Sequence, residues 1–382
     1  MQEYIMVGCD LHDRSMLLKI ARGREEAKKR SFSNDAGGRT AMIKYLRAET
    51  EAAGGAKVLF AYEASGQGFG LYDELTDAGF ECHVLAPTKM PPSAKQRKNK
   101  TDERDALRIL EVVRGHVLAG NSLPSVWIPD LQTRDDRELV RARLDAGRKL
   151  TRLKAQVQSL LKRNKVARPA FVGRGWNERF RTWLAGLGLK NSRSTLGSGA
   201  RSALRTLLHQ MESMEDEITE LDQAVRELSQ SGRYTTTVEA LQTIKGVGLL
   251  TAMVFLTEMG DLKRFANRRQ VAAYLGVVPS SQESGEADDR KGHITRQGSG
   301  RVRWVLCQAA WAAVRSNPAI REMYERLLAK NPKKKKISLV GVMRRLAVTM
   351  WHRGLEAEVS VKQKPVSAPK KAGRRRRRTA AA

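Results

Sequence analysis

Short apolar runs separated by turns and helical segments fill the first third of the chain. Such alternation is typical of a sheet that is covered by helices. Strands are predicted at the apolar runs Tyr4–Cys9 and Lys57–Tyr62, and also at Ser15–Ala21, Ala27–Phe32 and Phe80–Leu85. The segments with helical spacing and capping signals are Thr40–Glu51, Leu71–Ala78 and Thr101–Val117. Residues 1–128 are therefore predicted to form an α/β domain.

Four acidic residues stand where these strands end or the last helix begins, at Asp10, Glu63, Asp102 and Asp105. Strand ends in α/β domains can aim side chains at one point outside the sheet, and residues three apart share a helix face. Converging carboxylates bind hard cations such as Mg²⁺, which takes its remaining ligands from water and phosphate. The acids therefore predict a Mg²⁺ site for phosphodiester chemistry on a ribonuclease-H-like fold. Taken singly, each acid can equally be a solvated surface charge or a helix cap.

The chain is strongly basic, with 70 Lys and Arg residues against 41 Asp and Glu and a formal net charge of +29. Such a field attracts polyanions, which makes nucleic acid the expected partner. Lys98, Lys100 and Arg104 flank the acids and are predicted to hold the phosphate backbone. No apolar run reaches the roughly 18 residues of a membrane span, and no signal-peptide pattern opens the chain, so we expect a soluble cytoplasmic protein without a membrane partner.

The three cysteines lie far apart in apolar stretches, at Cys9, Cys82 and Cys307. An odd number of widely spaced cysteines supports neither a disulfide framework nor a zinc cluster. They are predicted to be buried thiols.

Residues 129–235 are predicted to form a helical arm. Apolar residues recur at helical spacing amid Arg and Lys at Leu139, Leu144, Leu150, Leu153, Val157, Leu160 and Leu161. A second amphipathic segment covers Leu204–Leu228. Two such helices form a helical hairpin or a coiled-coil arm, and such arms commonly make dimers. The segment between them, Ala167–Gly199 with Trp176 and Trp183, is either a loop insertion or a small element that contacts nucleic acid.

Residues 236–356 are predicted to form a mainly helical domain, followed by a disordered basic tail at 357–382. The turn Gly246-Val-Gly248 resembles a helix-hairpin-helix whose amides contact phosphate, or else is a tight turn without a ligand. Arg374–Arg378 in the tail is too charged to pack and predicts a sequence-independent contact with nucleic acid, or a solubilising tail.

A second candidate centre is Ser284, which precedes Gly285 in a polar stretch. An exposed hydroxyl close to positive charge is what phosphoryl transfer through a covalent intermediate needs. A solvated loop serine is the ordinary alternative. The nearby residues that we expect to contact nucleic acid are Arg290, Lys291, Arg296, Arg301 and Arg303.

An ordered series of motifs resembles one known family over nearly the whole chain. The N-terminal motifs are Gly8-Cys-Asp10, His12-Asp-Arg14, Tyr62-Glu-Ala-Ser-Gly66 and Lys100-Thr-Asp-Glu-Arg-Asp-Ala106. The C-terminal motifs are Gly246-Val-Gly248, Gly276-Val-Val-Pro279, Ser284-Gly285 and Gly292-His-Ile-Thr-Arg-Gln-Gly298. They resemble the DEDD transposases of bacterial insertion sequences, which are related to the Piv invertase and include the bridge-RNA-guided recombinases.

The resemblance implies a RuvC-like domain whose acidic tetrad is Asp10, Glu63, Asp102 and Asp105, and a C-terminal transposase domain whose nucleophile is Ser284. It also implies Mg²⁺, a serine-linked DNA intermediate, and a composite site in which the acidic domain of one subunit meets the serine domain of another. A homo-oligomer, dimer or tetramer, follows. In guided members a structured non-coding RNA pairs with donor and target DNA. The alternatives are a junction-resolving nuclease that uses water and a non-catalytic nucleic-acid-binding protein.

Overall fold

The computed structural model describes residues 3–90, 101–189, 195–281, 291–330 and 332–363. The chain divides into two compact units, Met1–Ile128 and Pro129–Ala382. Within the described residues, no helix combines the length and the apolar character that crossing a membrane requires. The first unit is mixed α/β and the second is mostly helical, so the predicted fold class is confirmed at that level. The four-part division of the chain at residues 128, 235 and 356 stays a prediction.

The first unit is built on a five-stranded sheet in the order β3-β2-β1-β4-β5. The first three strands form an antiparallel meander, whereas β4 is parallel to β1 and β5 is parallel to β4. Each predicted strand is present, with small differences at the ends. Their bounds are Tyr4–Leu11 (β1), Ser15–Arg22 (β2), Lys28–Ser33 (β3), Lys57–Glu63 (β4) and Glu81–Leu85 (β5).

Three helices cover the two faces of this sheet, at Ala36–Ala52 (α1), Gly70–Asp77 (α2) and Asp102–Ala119 (α3). Asp35 begins α1, because its carboxylate accepts a 2.7 Å hydrogen bond from the Gly38 amide. Helices α1 and α2 pack on one face, and α3 packs on the other. Successive strand residues point to opposite faces, so the even-numbered residues of β1 and the odd-numbered residues of β4 belong to the α3 side.

Strand β1 and helix α3 approach each other at a distance that only glycine permits. A Cβ atom placed on Gly8 would lie 2.3 Å from the Leu110 nitrogen and 2.4 Å from the Ala106 carbonyl oxygen. Both neighbours are backbone atoms, which cannot move aside as a flexible side chain can. Gly8 therefore fixes how closely α3 approaches β1 around Ala106 and Leu110.

Gly8→Ala is expected to destabilise the first unit by about 3 kcal/mol, because overpacking against backbone forces the strand and the helix apart. Urea unfolding of the full chain measures the change. The matched control is Gly66→Ala, since Gly66 has no atom within 4 Å of the added Cβ. Equal stability of the two variants would contradict the close approach.

Two long helices open the second unit, at Leu131–Arg163 (α4) and Ser198–Ser229 (α6). They lie antiparallel, because Arg143 near the start of α4 pairs with Asp222 near the end of α6, and Lys154 further along α4 pairs with Glu215. The Arg143 guanidinium donates to both carboxylate oxygens of Asp222, at 2.7 and 2.9 Å. Paired donors of this kind fix the register of the two helices.

The far end of this helix pair carries its own small core, here called the tip cluster: Val157, Leu160, Leu161, Val172, Phe180, Leu184, Leu196, Leu204 and Met211. A short helix, Glu178–Gly188 (α5), supplies Phe180. Trp176 and Trp183 pack against that ring at centroid distances of 5.1 and 5.6 Å. In its described residues the predicted insert Ala167–Gly199 is thus a packed element and not an open loop.

The remaining helices contribute to one hydrophobic core, in which the last eight residues of α8 are all buried. Their bounds are Thr235–Gln242 (α7), Leu249–Met259 (α8), Arg268–Tyr274 (α9), Gly300–Ser316 (α10), Pro318–Lys330 (α11) and Lys335–Gln363 (α12). A two-stranded hairpin, Pro279–Ser281 (β6) and Lys291–Ile294 (β7), lies between α9 and α10 in sequence. At the α7–α8 turn Gly246 has φ 95° and faces the backbone of α10, with a Cβ position 2.6 Å from the Ala309 oxygen. Packing therefore accounts for this glycine.

Candidate active site

Two of the predicted acids lie on neighbouring parallel strands, at the same edge of the sheet. Asp10 is the penultimate residue of β1 and Glu63 is the last residue of β4. Because Cys9 is paired with Tyr62, the two acids follow at the same level in the two strands. Strand alternation puts both on the sheet face that α3 covers. The other two acids, Asp102 and Asp105, are in the first turn of that helix.

A histidine brings two of these acids together. The Nε2 atom of His12 lies 3.0 Å from Asp10 Oδ2 and 3.5 Å from Asp102 Oδ1. One ligand atom from each of the three residues lies within 4.8 Å of the others. His12 was not among the predicted site residues. The available signal was its position two residues after Asp10, just beyond the end of β1.

The Asp10 carboxylate is in an environment that disfavours its charge. Partial burial raises the pKa of Asp10 above its ordinary value, and the nearby carboxylates of Asp105 and Asp102 raise it further, whereas His12 opposes the shift. A bound cation would relieve both the desolvation and the repulsion. Two carboxylates and one imidazole are a donor set that fits a divalent metal ion. The three residues Asp10, His12 and Asp102 could therefore hold one.

The other two acids are placed less tightly. Asp105 is near enough to Asp10 to raise its pKa. Glu63 is half-buried at the end of β4. Within the part of the chain that the structure describes, neither belongs to the group of three donors. The gathering of all four acids around one metal centre stays a prediction.

The second candidate centre, Ser284, lies between two paired strands in the sequence. Ser284 and Arg290 lie outside the described residues, and so do Lys98 and Lys100 beside the acids. The strands on either side, β6 and β7, pair antiparallel with Pro279 opposite Ile294.

Two glycines and an arginine fix the backbone just before β6 and just after β7. A Cβ atom on Gly276 would lie 2.1 Å from the Gln297 oxygen, and one on Gly298 would lie 1.9 Å from the Tyr274 oxygen. Arg303 Nη1 donates to the carbonyl oxygens of Leu275, Gln297 and Gly298, each at 3.1 Å. The hairpin that leads to Ser284 therefore starts from a fixed base.

The described basic candidates differ in their surroundings. Arg303 already donates hydrogen bonds to those three carbonyl oxygens, and Arg301 pairs with Asp145 of α4 at 3.0 Å. Arg296 adopts φ 56°, a left-handed conformation that is uncommon for residues other than glycine. Arg104 is exposed in the first turn of α3. Contact of these four residues and of Lys291 with nucleic acid stays a prediction.

Comparison with known proteins places both regions in one family. A family model described as a transposase matches residues 7–165, and a model of the transposase IS116/IS110/IS902 family matches residues 238–325. The protein y4qE of Sinorhizobium fredii (strain NBRC 101917 / NGR234), named as a transposase, is 31% identical over 85% of this chain and 81% of its own. The chain belongs to the DEDD transposase family of insertion sequences. This transposase is thus an enzyme of DNA transposition.

Other relatives carry similar names. The transposase for insertion sequence element IS1533 of Leptospira borgpetersenii is 25% identical to this transposase over 81% of this chain and 86% of its own. The transposase for insertion sequence element IS1111A of Coxiella burnetii (strain RSA 493 / Nine Mile phase I) is 24% identical over 66% of this chain and 65% of its own. The residues matched by the first family model include all four acids and His12. Those matched by the second include the two strands of the hairpin and Ser284.

Proposed function

We propose that this transposase cuts and rejoins the DNA of an insertion element with two centres, a metal-binding acidic tetrad and a nucleophilic serine. The observation that carries the proposal is the meeting of Asp10 and Asp102 about His12 at the end of β1. Carboxylates that share a partly buried site disfavour their own charge, and such sites commonly bind a cation. The tetrad is Asp10, Glu63, Asp102 and Asp105.

Mg²⁺ is the cation that we assign to this tetrad, because carboxylate oxygens are the ligands it prefers. When bound it neutralises charge on a phosphodiester and lowers the pKa of an attacking hydroxyl. The protein's contribution is to hold the carboxylates in place. Strand β1 orients Asp10, and α3, seated against Gly8, orients Asp102 and Asp105.

Ser284 is the proposed nucleophile. Its Oγ attacks a DNA phosphorus, one P–O bond to deoxyribose breaks, the serine proton leaves to solvent or a base, and the released deoxyribose oxygen takes up a proton. One phosphodiester is exchanged for another, so the reverse attack by a different DNA end reseals the strand without an added energy source. The close backbone contacts at Gly276 and Gly298 support this role, because they fix the described strands that precede and follow Ser284 in sequence.

The partners that we infer are donor DNA, target DNA and a structured guide RNA that pairs with both. The formal net charge of +29 supports binding of two polyanions at once. The antiparallel α4–α6 pair supports a coiled-coil arm, through which the chain would form a dimer or a tetramer with composite sites. The strand order β3-β2-β1-β4-β5, with acids at strand ends, supports a RuvC-like fold for the first unit.

The test uses purified full-length protein, a plasmid carrying the element with its flanking DNA, and Mg²⁺. After incubation the products are separated under denaturing conditions. We expect DNA that remains attached to protein, and we expect co-purified RNA to map to a non-coding region beside the gene.

Free DNA ends without attached protein would instead indicate a nuclease that uses water. Absence of any cleavage, with DNA binding retained, would indicate a non-catalytic binding protein. Protein-linked DNA without co-purified RNA would uphold the serine step and remove the guide RNA from the proposal.

A further inference from the structure

A third acid in the first turn of α3 has partners of its own. Glu103 lies next to Asp102 and two residues before Asp105. Its Oε1 accepts a 2.6 Å hydrogen bond from Lys19 Nζ, and its Oε2 accepts a 2.9 Å hydrogen bond from Lys29 Nζ. Both carboxylate oxygens are thus occupied by ammonium groups from the sheet.

The two lysines are placed where they repel each other. Lys19 of β2 and Lys29 of β3 are directly opposite in the antiparallel register, and like charges in that position are destabilising. Lys19 is also buried, at 8% exposure, which is rare for a lysine unless it is paired. Glu103 supplies the counter-charge for both. The two ammonium groups hold the pKa of Glu103 down to about 2, so it is charged at neutral pH.

This ionic contact holds a part of α3 that the glycine contact does not reach. Gly8 meets the helix at Ala106 and Leu110, one to two turns after its start. The first turn of α3 comes before that contact. Thr101 caps this turn, because its hydroxyl accepts a 3.4 Å hydrogen bond from the Arg104 amide. Lys19 is opposite Gly8 in the β1–β2 register, so its side chain rises on the same face of the sheet. Two separated contacts, a close backbone approach at Gly8 and the ionic contact of Glu103, oppose rotation of the helix about its axis.

We propose that Glu103 is a positioning residue, which together with Lys19 and Lys29 fixes the first turn of α3 so that Asp102 and Asp105 face Asp10. Glu103 does not join the metal ligands, since both of its oxygens face lysines. The inference rests on the metal-binding role proposed above. It adds that the affinity of the acidic centre depends on an ion cluster that does not touch the metal.

The test is Glu103→Gln in the full-length protein, compared with Glu111→Gln. Glu111 is on the same helix and pairs with Arg114 at 2.7 Å in an exposed i,i+3 contact, so its loss leaves the first turn in place. The readouts are the Mg²⁺ concentration for half-maximal DNA cleavage and direct Mn²⁺ binding by calorimetry. We expect Glu103→Gln to raise the metal requirement about tenfold, as is typical when a residue that orients metal ligands is lost. Glu111→Gln should leave it unchanged.

A second variant separates positioning from stability, because Glu103→Gln also leaves Lys19 buried without a counter-charge. In Lys19→Met/Glu103→Gln that charge is removed. We expect the double variant to recover the melting temperature of the wild type and to keep the raised metal requirement.

Recovery of both properties in the double variant would overturn the positioning role and leave a purely structural one. An unchanged metal requirement in folded Glu103→Gln would overturn it as well. If Asp10→Asn binds Mn²⁺ as the wild type does, the proposed metal centre itself fails, which is a different result.

Discussion

Asp10→Asn is expected to reduce DNA cleavage by about 10³-fold or more at any Mg²⁺ concentration. Metal stabilisation of a transition state is worth several kcal/mol, and about 1.4 kcal/mol corresponds to a factor of ten. The same variant should be at least as stable as the wild type when metal is absent. The pKa of Asp10 is raised by burial and by neighbouring acids, so its ionised form opposes folding at neutral pH, and the neutral amide removes that penalty.

Thermal melting with and without Mg²⁺ tests both parts of this prediction. A ligand that binds only the folded protein raises its melting temperature. The wild type should therefore melt higher with Mg²⁺, and Asp10→Asn should not respond. Asp13→Asn is the matched control, because Asp13 is exposed in the turn just after β1. A variant of Asp10 that still responds to Mg²⁺ would show that the ion binds elsewhere.

Ser284→Ala is expected to abolish the protein-linked DNA and strand exchange while DNA binding is kept. Removing the nucleophile of a serine protease lowers turnover by about 10⁶-fold, and a loss of comparable size is expected here. Denaturing gels of the cleavage reaction measure the linkage, and filter binding measures DNA affinity.

Ser280→Ala serves as its control. The Ser280 hydroxyl already donates to the His293 carbonyl at 3.0 Å within the same hairpin, so its loss should change stability slightly and leave the linkage intact. Persistence of linked DNA in Ser284→Ala would assign the attack to another group. Free ends in place of linked DNA in the wild type would exclude a covalent step altogether.

Much of the α/β unit follows from local sequence. Strands β1 and β4 are continuous apolar runs, and α1 and α3 have side-chain caps at Asp35 and Thr101, so the order of the elements could be predicted without long-range information. Two short helices of the second unit, α9 and α11, were missed. Helix α9 has only seven residues, too few for a clear helical period. Helix α11 does have an apolar stripe at helical spacing, at Ile320, Met323, Tyr324, Leu327 and Leu328, so it could have been predicted. The packing of Trp176 and Trp183 on Phe180 depends on three-dimensional contacts, and the sequence left that segment open.

The candidate site, like the fold, could be predicted only in part from the sequence. Acids at strand ends predicted a meeting point, and the structure brings Asp10 and Asp102 together there. The part played by His12 was missed, although its spacing from Asp10 was visible. The pairing of Glu103 with Lys19, 84 residues away, could not be predicted, because charge alone does not identify a distant partner.

The tip cluster and the main core of the second unit use different parts of α4. Leu144 belongs to the main core and Val157 to the tip cluster, so roughly 20 Å of helix lies between them at about 1.5 Å per residue. Because this part of the second unit carries its own apolar centre, substitutions within it are expected to leave the packing of the main core unchanged. The tip can therefore be remodelled as a separate folding element while the rest of the second unit keeps its fold.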